Sequence, residues 1–230
     1  MKIAISGSTN MGKSTFIKDF IKKWDMYETP NKSYRDILTE KNLPHSKEST
    51  EETQKVIMDF LTDQALENST KDHVITDRCV LDCLAYSAWL NINGVVSDKF
   101  LDEQRILVRE TIKLYDIIFF TPLTKAANVP IENDGFREID EVFREEIDNI
   151  FKAFGQSYNQ GDGRIFPKED SPAWIEIFGN REERIKICEL YIGENGDMYG
   201  GDESLLSDII GATENDLKRI EKDMGIITSK

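Results

Sequence analysis

Residues 3–16, Ile-Ala-Ile-Ser-Gly-Ser-Thr-Asn-Met-Gly-Lys-Ser-Thr-Phe, constrain this chain more than any other stretch. Gly7, Gly12, Lys13 and Ser14 fill every fixed position of G-x-x-x-x-G-K-[ST]. Ile3, Ala4 and Ile5 before the loop form a short apolar run that reads as a buried parallel strand. After the loop, Phe16, Ile17, Phe20, Ile21 and Trp24 recur at helical spacing. Strand, glycine-bearing loop and helix in that order form a phosphate cradle. Glycines let the backbone approach phosphate oxygens, and the loop N–H groups and helix N-terminus present positive partial charge. Gly7, Asn10, Met11, Gly12, Lys13, Ser14 and Thr15 are therefore the candidate set for binding ATP. Lys13 is expected to reach the β- and γ-phosphates, and the Ser14 hydroxyl to hold Mg²⁺.

The rest of the chain alternates between the two periods. Further strands are expected at 26–29, 73–76, 116–120 and 174–178, each closed by a breaker or a charged pair: Pro30, Asp77-Arg78, Pro122 and Gly179. Helices are expected over 34–40, 52–68 behind a capping box at Ser49 and Glu52, 80–91, 97–114, 139–154 and 180–192. This β-α-β alternation predicts an α/β fold, a five-stranded parallel sheet with helices on both faces. Ligands in such folds bind at the carboxyl ends of the strands, so Gly7, Glu28, Asp77 and the Pro122 loop are expected to converge. Residues 1–192 read as one domain with a lid over 123–137. The stretch 193–202 reads as a glycine-rich linker, and 203–230 as a short helical appendage, too short for a core of its own.

Charge and cysteine usage narrow the partners. The formal net charge of −14 repels polyphosphate backbones and anionic membranes at long range, so nucleic acid is not the default partner. Cys79, Cys83 and Cys188 are an odd number without a paired framework and read as reduced thiols of a cytoplasmic protein. No apolar run approaches the roughly 20 residues of a membrane span, and the first apolar run stops at Gly7, so neither a membrane anchor nor a signal peptide is expected.

The loop motif alone says that a nucleoside triphosphate binds. A guanine-reading Asn-Lys-x-Asp is not found in a suitable place, and no strand ends in the acidic pair usual in motor ATPases. Four stretches together carry a more specific likeness: the loop at 7–15, Glu28-Thr29-Pro30, Asp77-Arg78 with Asp82, and Asp134-Gly135-Phe136-Arg137. With them the chain resembles P-loop nucleoside and nucleotide kinases of the thymidylate-kinase-like group. Within that group it looks closest to the nicotinamide-riboside-kinase-like ATPase domains found in bacteria and their phages. The resemblance covers about residues 1–192 and implies a nucleotide-kinase-like fold.

The resemblance also implies roles. Asp77 would lie near Mg²⁺, with Ser14, and Arg78 would hold the acceptor and its phosphate. Glu28 would be the base for an acceptor hydroxyl, and Arg137 in the lid would swing over the transferring phosphate. Tyr34, Arg35 and Gln54 would contact the acceptor, and Asn180 would lie in the loop facing adenine. Arg181 and Arg184 read instead as helix-face charges. The activity so implied is transfer of the ATP γ-phosphate to a nucleoside, nucleotide or nucleoside-like small molecule. Two alternatives stand beside it: a phage-type kinase acting on 5-hydroxymethyluracil in DNA, placed in the host cytoplasm, and an ATP-hydrolysing regulator with no acceptor. The tail leaves a homodimer open.

Overall fold

The structure is a computed structural model and describes residues 1–123 and 140–199. Four strands form one parallel sheet: β1 (Lys2–Ser6), β2 (Val74–Asp77), β3 (Ile117–Phe120) and β4 (Ala173–Glu176), in the order β2-β1-β3-β4. The helices are α1 (Lys13–Lys23), α2 (Tyr34–Lys41), α3 (Glu51–Asn68), α4 (Val80–Ile92), α5 (Asp98–Thr111), α6 (Glu141–Gln160) and α7 (Arg181–Glu189). Single 3₁₀ turns lie at Ser46–Glu48 and Ile112–Leu114.

Strand residues alternate between two cores, as the two-residue period of a strand requires. Ala4, Ile118 and Phe120 join α3, α4, α5 and α6 on one face. Ile3, Ile5, Ile75, Ile117 and Phe119 join α1 and α7 on the other. Both faces are covered, so the strands read as continuous apolar runs rather than alternating ones. The aromatic rings set the spacing of the layers. Phe119 meets Phe16 and Phe20 of α1, and Phe120 stacks on Phe151 of α6.

The sheet has four strands, not the five expected. Residues 26–29 do not form a strand; only Glu28 pairs, in an isolated parallel bridge to Val74. Its N–H donates to His73 O at 3.1 Å and its carbonyl accepts from Ile75 N at 2.9 Å. The segment is squeezed between the end of α1 at Trp24 and Pro30, which has no N–H to continue a ladder. Helix α6 runs further than expected, to Gln160. Gly155 does not stop it; a Cβ there would stand 3.0 Å from Trp174 Nε1, so this glycine serves close packing. Gly161, in the left-handed region at φ 61°, ends the helix. At the start of α3 the cap is Thr50, one residue after the expected Ser49, its Oγ1 accepting from Thr53 N at 3.2 Å.

The described part of the expected linker, residues 193–199, folds back onto the domain. Trp24 Nε1 donates to Gly193 O at 2.8 Å, Tyr27 Oη to Gly196 O at 2.7 Å, and His73 Nε2 lies 3.1 Å from Asp197 Oδ1. The expected lid beyond Leu123, with Arg137, and the expected appendage over 203–230 lie outside the described residues.

Candidate functional site

The carboxyl end of β1 delivers the chain into the phosphate loop. Gly7 (φ 140°), Asn10 (φ 55°) and Gly12 (φ 72°) have positive φ, and Gly12 caps α1. A Cβ on Gly7 would lie 2.5 Å from Thr121 Oγ1 and 2.9 Å from Thr121 O, so only glycine lets the loop pass the end of β3. Lys13 is 6% exposed, and its ammonium donates to Gly7 O at 2.9 Å and Ser8 O at 2.6 Å. Concave backbone, a buried ammonium and a helix N-terminus fit a chain of phosphates.

Beside the loop, Ser14 Oγ donates to Asp77 Oδ2 at 2.8 Å. Asp77 Oδ1 is buried with no hydrogen-bond partner. A hydroxyl and a carboxylate with a spare oxygen are hard donors of the kind Mg²⁺ takes. The two residues expected at the metal are therefore together.

The next residues of the β2–α4 turn lead away from the loop. Arg78 has φ 81°, a position that for a long side chain costs about 1–3 kcal/mol unless its surroundings hold it. Here they do. Arg78 N–H donates to Ile5 O at 2.9 Å, and Nη1 donates to Asp82 Oδ1 at 2.6 Å and Gly7 O at 3.3 Å. Its guanidinium lies 5.4 Å from the ring centres of both Tyr34 and Tyr86. Burial by itself would lower the Arg78 pKa; the facing tyrosines, Asp82 and Asp77 outweigh it and hold the group charged. Asp82 also accepts from Ser6 Oγ at 2.8 Å, Gly7 N at 3.3 Å and Cys79 N at 3.1 Å. One buried carboxylate thus ties the phosphate loop to Arg78.

Arg78 and Asp82 form part of the wall of a pocket lined also by Tyr34, Leu38, Gln54 and Cys83, with His45 and the serines after it nearer the start of α3. It is a tight cleft with about 30 Å³ of free room as it stands, open to solvent at its mouth. Tyr34, Gln54 and Arg78, far apart in sequence, are brought together here. Arg35 Nε donates to Tyr34 Oη at 3.5 Å, and Arg35 lies close enough to Asp77 and Arg78 to feel their charges.

Two expected residues are not delivered in the expected way. Glu28 is level with Val74, three residues before Asp77, hence roughly 10 Å toward the opposite end of the sheet at 3.3 Å per residue. Its side chain is 58% exposed and pairs with Lys71 at 2.6 Å. The early bridge fixes its height, and proximity to Pro30 does not. Asn180 does start α7 beside the loop, but its Oδ1 is spent on capping, accepting from Glu182 N and Glu183 N, both at 3.0 Å.

Two arginines were not anticipated as site residues. Arg144 of α6 donates from Nε to Thr9 O at 3.1 Å and from Nη2 to Met11 Sδ at 3.5 Å, while Ser8 Oγ donates to Arg144 O at 3.0 Å. Arg184 of α7, expected on a solvated face, is 4% exposed and donates from Nη1 to Met11 O at 2.7 Å. Its Nη2 is buried without a partner. Burial lowers both pKa values, yet arginine keeps its charge at any ordinary pH. The signal was present: Arg144 shares the stripe of Ile147 and Phe151, and Arg184 stands four residues before buried Cys188. Arg181, by contrast, is the surface charge expected, paired with Asp19 at 2.5 Å.

Solved structures share this architecture. Deoxyadenosine kinase from M. mycoides, with dCMP and dCDP bound, superposes with a TM-score of 0.56 at 18% identity over 81% of this chain and 95% of that one. The same kinase with dATP gives 0.55 at 17% identity, covering 82% and 97%. NadR protein in complex with NR gives 0.60 at 14% identity over 87% of this chain and 53% of that one. At these identities the likeness is one of fold, and the fold is that of P-loop nucleoside and nucleotide kinases. No curated protein sequence matches the chain. The model of the AAA domain family matches residues 2–160, a span that takes in the phosphate loop, Asp77, the Arg78 pocket and Arg144, and the chain belongs to that family.

Proposed function

We propose that the protein is an ATP-dependent phosphotransferase that moves the γ-phosphate to a nucleoside or nucleoside-like small molecule. The observation that carries this reading is Asp82. It accepts from Gly7 N on the phosphate side and from Arg78 on the pocket side, so a triphosphate cradle and a neighbouring pocket share one buried group. The solved structures similar in fold are held with deoxynucleotides or NR, which supports an acceptor of that class. The acidity of the chain favours a small acceptor over a DNA duplex.

Phosphoryl transfer is chiefly a matter of positioning and of neutralising charge on the moving group. In this reading Lys13 follows the β- and γ-phosphates, and the loop amides hold their oxygens. Ser14 and Asp77 would hold Mg²⁺, which neutralises phosphate charge when bound. Arg144 and Arg184 fix the loop carbonyls so that its N–H groups face inward. Arg78, Tyr34, Arg35 and Gln54 seat the acceptor, and Arg137 is assigned to the lid over the phosphates. Glu28 has no part in the chemistry.

The test is transfer from γ-labelled ATP to a panel of deoxynucleosides, their monophosphates, nicotinamide riboside, and duplex DNA with or without 5-hydroxymethyluracil. Label on a small molecule, lost in Lys13→Ala, is the expected result. Label on modified DNA alone would replace the small acceptor with a macromolecular one, and free phosphate alone would leave an ATP-hydrolysing protein with no acceptor.

A further inference from the structure

Cys83 stands one residue beyond Asp82 and is 2% exposed. Its Sγ lies 3.2 Å from Gln54 O, 3.3 Å from Gln54 Oε1 and 3.6 Å from Gln104 Oε1. Burial pushes the Cys83 thiol up, so the sulfur keeps its one proton, which the two Gln54 oxygens, the nearest of the three, share. A neutral amide can present either end to a neighbour, and a donor behind it decides which. With Oε1 turned to the thiol, the Gln54 amide nitrogen is left to the pocket that Gln54 lines. Gln54 is 1% exposed, so what that nitrogen meets is the pocket interior rather than bulk water.

The other groups of the pocket lean the same way. Asp82, the one carboxylate in the wall, already accepts from Ser6 Oγ, Gly7 N, Arg78 Nη1 and Cys79 N, which fills its four lone-pair positions. Arg78 has donors only. The Tyr86 hydroxyl, buried without a partner, can serve in either sense. A ligand atom arriving at Gln54 and Arg78 therefore has to accept.

We propose that Cys83 is a positioning residue that fixes the Gln54 amide with its N–H groups toward the acceptor pocket, so that the pocket selects a nucleoside whose base presents an oxo group there over one that presents an amino group. This rests on the proposed function as a nucleoside phosphotransferase. An amino base sets its N–H groups against those of Gln54, and one hydrogen bond is lost with both donors buried. That loss corresponds to roughly tenfold in kcat/KM.

Two substrate pairs isolate the contrast: 2′-deoxyuridine against 2′-deoxycytidine, and 2′-deoxyinosine against 2′-deoxyadenosine, each with ATP as donor. The expected result is a preference of roughly tenfold for the oxo member of each pair. Cys83→Ala frees the amide to turn over and brings the ratio toward one. Cys83→Ser, which keeps a donor at the same place, retains the preference, and Gln54→Leu abolishes it. A packing role alone would lower the stability of the Cys83 variants and leave the ratio where it was. Preference for the amino members, or an equal ratio in wild type and Cys83→Ala, overturns this inference and leaves the kinase reading intact. Transfer to no nucleoside at all overturns both.

Discussion

The phosphate loop and the pocket beside Arg78 lie on either side of Asp82, yet they are built in opposite ways. The loop is made of consecutive residues, and its working groups are main-chain amides. Its geometry follows from where glycines and the lysine fall, because the Gly7 and Gly12 torsions and the approach of Thr121 leave little else to choose. The pocket is made of side chains from α2, the 45–49 segment, α3, the β2–α4 turn and α4, most of them separated by long stretches of sequence. No spacing rule relates Tyr34, Gln54 and Arg78; only the packing of their elements does. Binding a common donor needs the first kind of construction. Choosing among acceptors needs the second, where one side chain changes the pattern of donors and acceptors.

Substitutions can sharpen that contrast. The largest effect is expected at Lys13. Lys13→Ala removes the buried ammonium that follows the phosphates and is predicted to cut transfer by about 10²–10³-fold, as loss of a preorganised charge-stabilising donor does. Binding of the acceptor, measured by calorimetry, is predicted to be unchanged; loss of both together would mean the two regions are not separable. Arg78→Ala should act on both sides of the contrast. It abolishes acceptor binding and leaves the Asp82 carboxylate, 2% exposed, without its cation, at a cost of about 3–5 kcal/mol of stability by urea unfolding. A stable Arg78→Ala protein that still binds acceptor would break the account of the pocket.

Arg144→Ala is a smaller test of the loop side. It withdraws the bonds to Thr9 O and Met11 Sδ and is predicted to weaken ATP binding by about tenfold, the worth of one charge-assisted hydrogen bond, with acceptor affinity kept. An unchanged ATP affinity would reduce Arg144 to a packing residue.

These arginines also mark how far the sequence could be read. The loop, the strand from Ile3 to Ile5 and the apolar faces of the helices were legible, since each rests on local spacing or on a two- or 3.6-residue period, and Asp77-Arg78 could be placed at a strand end because the strand before it is legible. The fifth strand was not, because residues 26–29 have strand-like composition but the end of α1 and Pro30 leave room for a single bridge. Glu28 was misplaced for the same reason: its distance from the site depends on register against Val74, which no local pattern encodes. Arg144 and Arg184 had a faint signal, a charge on a buried stripe, but their partners are carbonyls of the distant loop, far away in sequence.

A pH experiment probes the buried thiols on the two faces of the sheet. Burial pushes the Cys79 thiol up to about 12, and Cys83 and Cys188 move in the same direction. A thiol whose folded pKa lies above its unfolded one stabilises fully below the unfolded value near 8.5, and that stability is lost as pH rises toward the folded value. The urea midpoint is therefore predicted to fall between pH 8 and pH 10.5, with less slope in Cys79→Ala. A flat profile would mean that water reaches the thiols. The smallest effect is expected at Glu28. Glu28→Ala removes an exposed partner of Lys71 and should leave the transfer rate within about twofold; a large loss would restore it to the site and contradict the placement given by its bridge.

The most direct test of a phosphate cradle working on a neighbouring pocket is how labelled phosphate partitions between nucleoside and water in one reaction. It should be measured for wild type, Lys13→Ala and Gln54→Leu with the best acceptor of the panel. The prediction is that wild type sends most label to the nucleoside and Lys13→Ala loses both products. Gln54→Leu should lower the nucleoside share by about tenfold while slow hydrolysis persists. Label entering water alone in wild type, at a rate that Gln54→Leu does not change, would contradict the account and leave a nucleotide hydrolase whose pocket serves no acceptor.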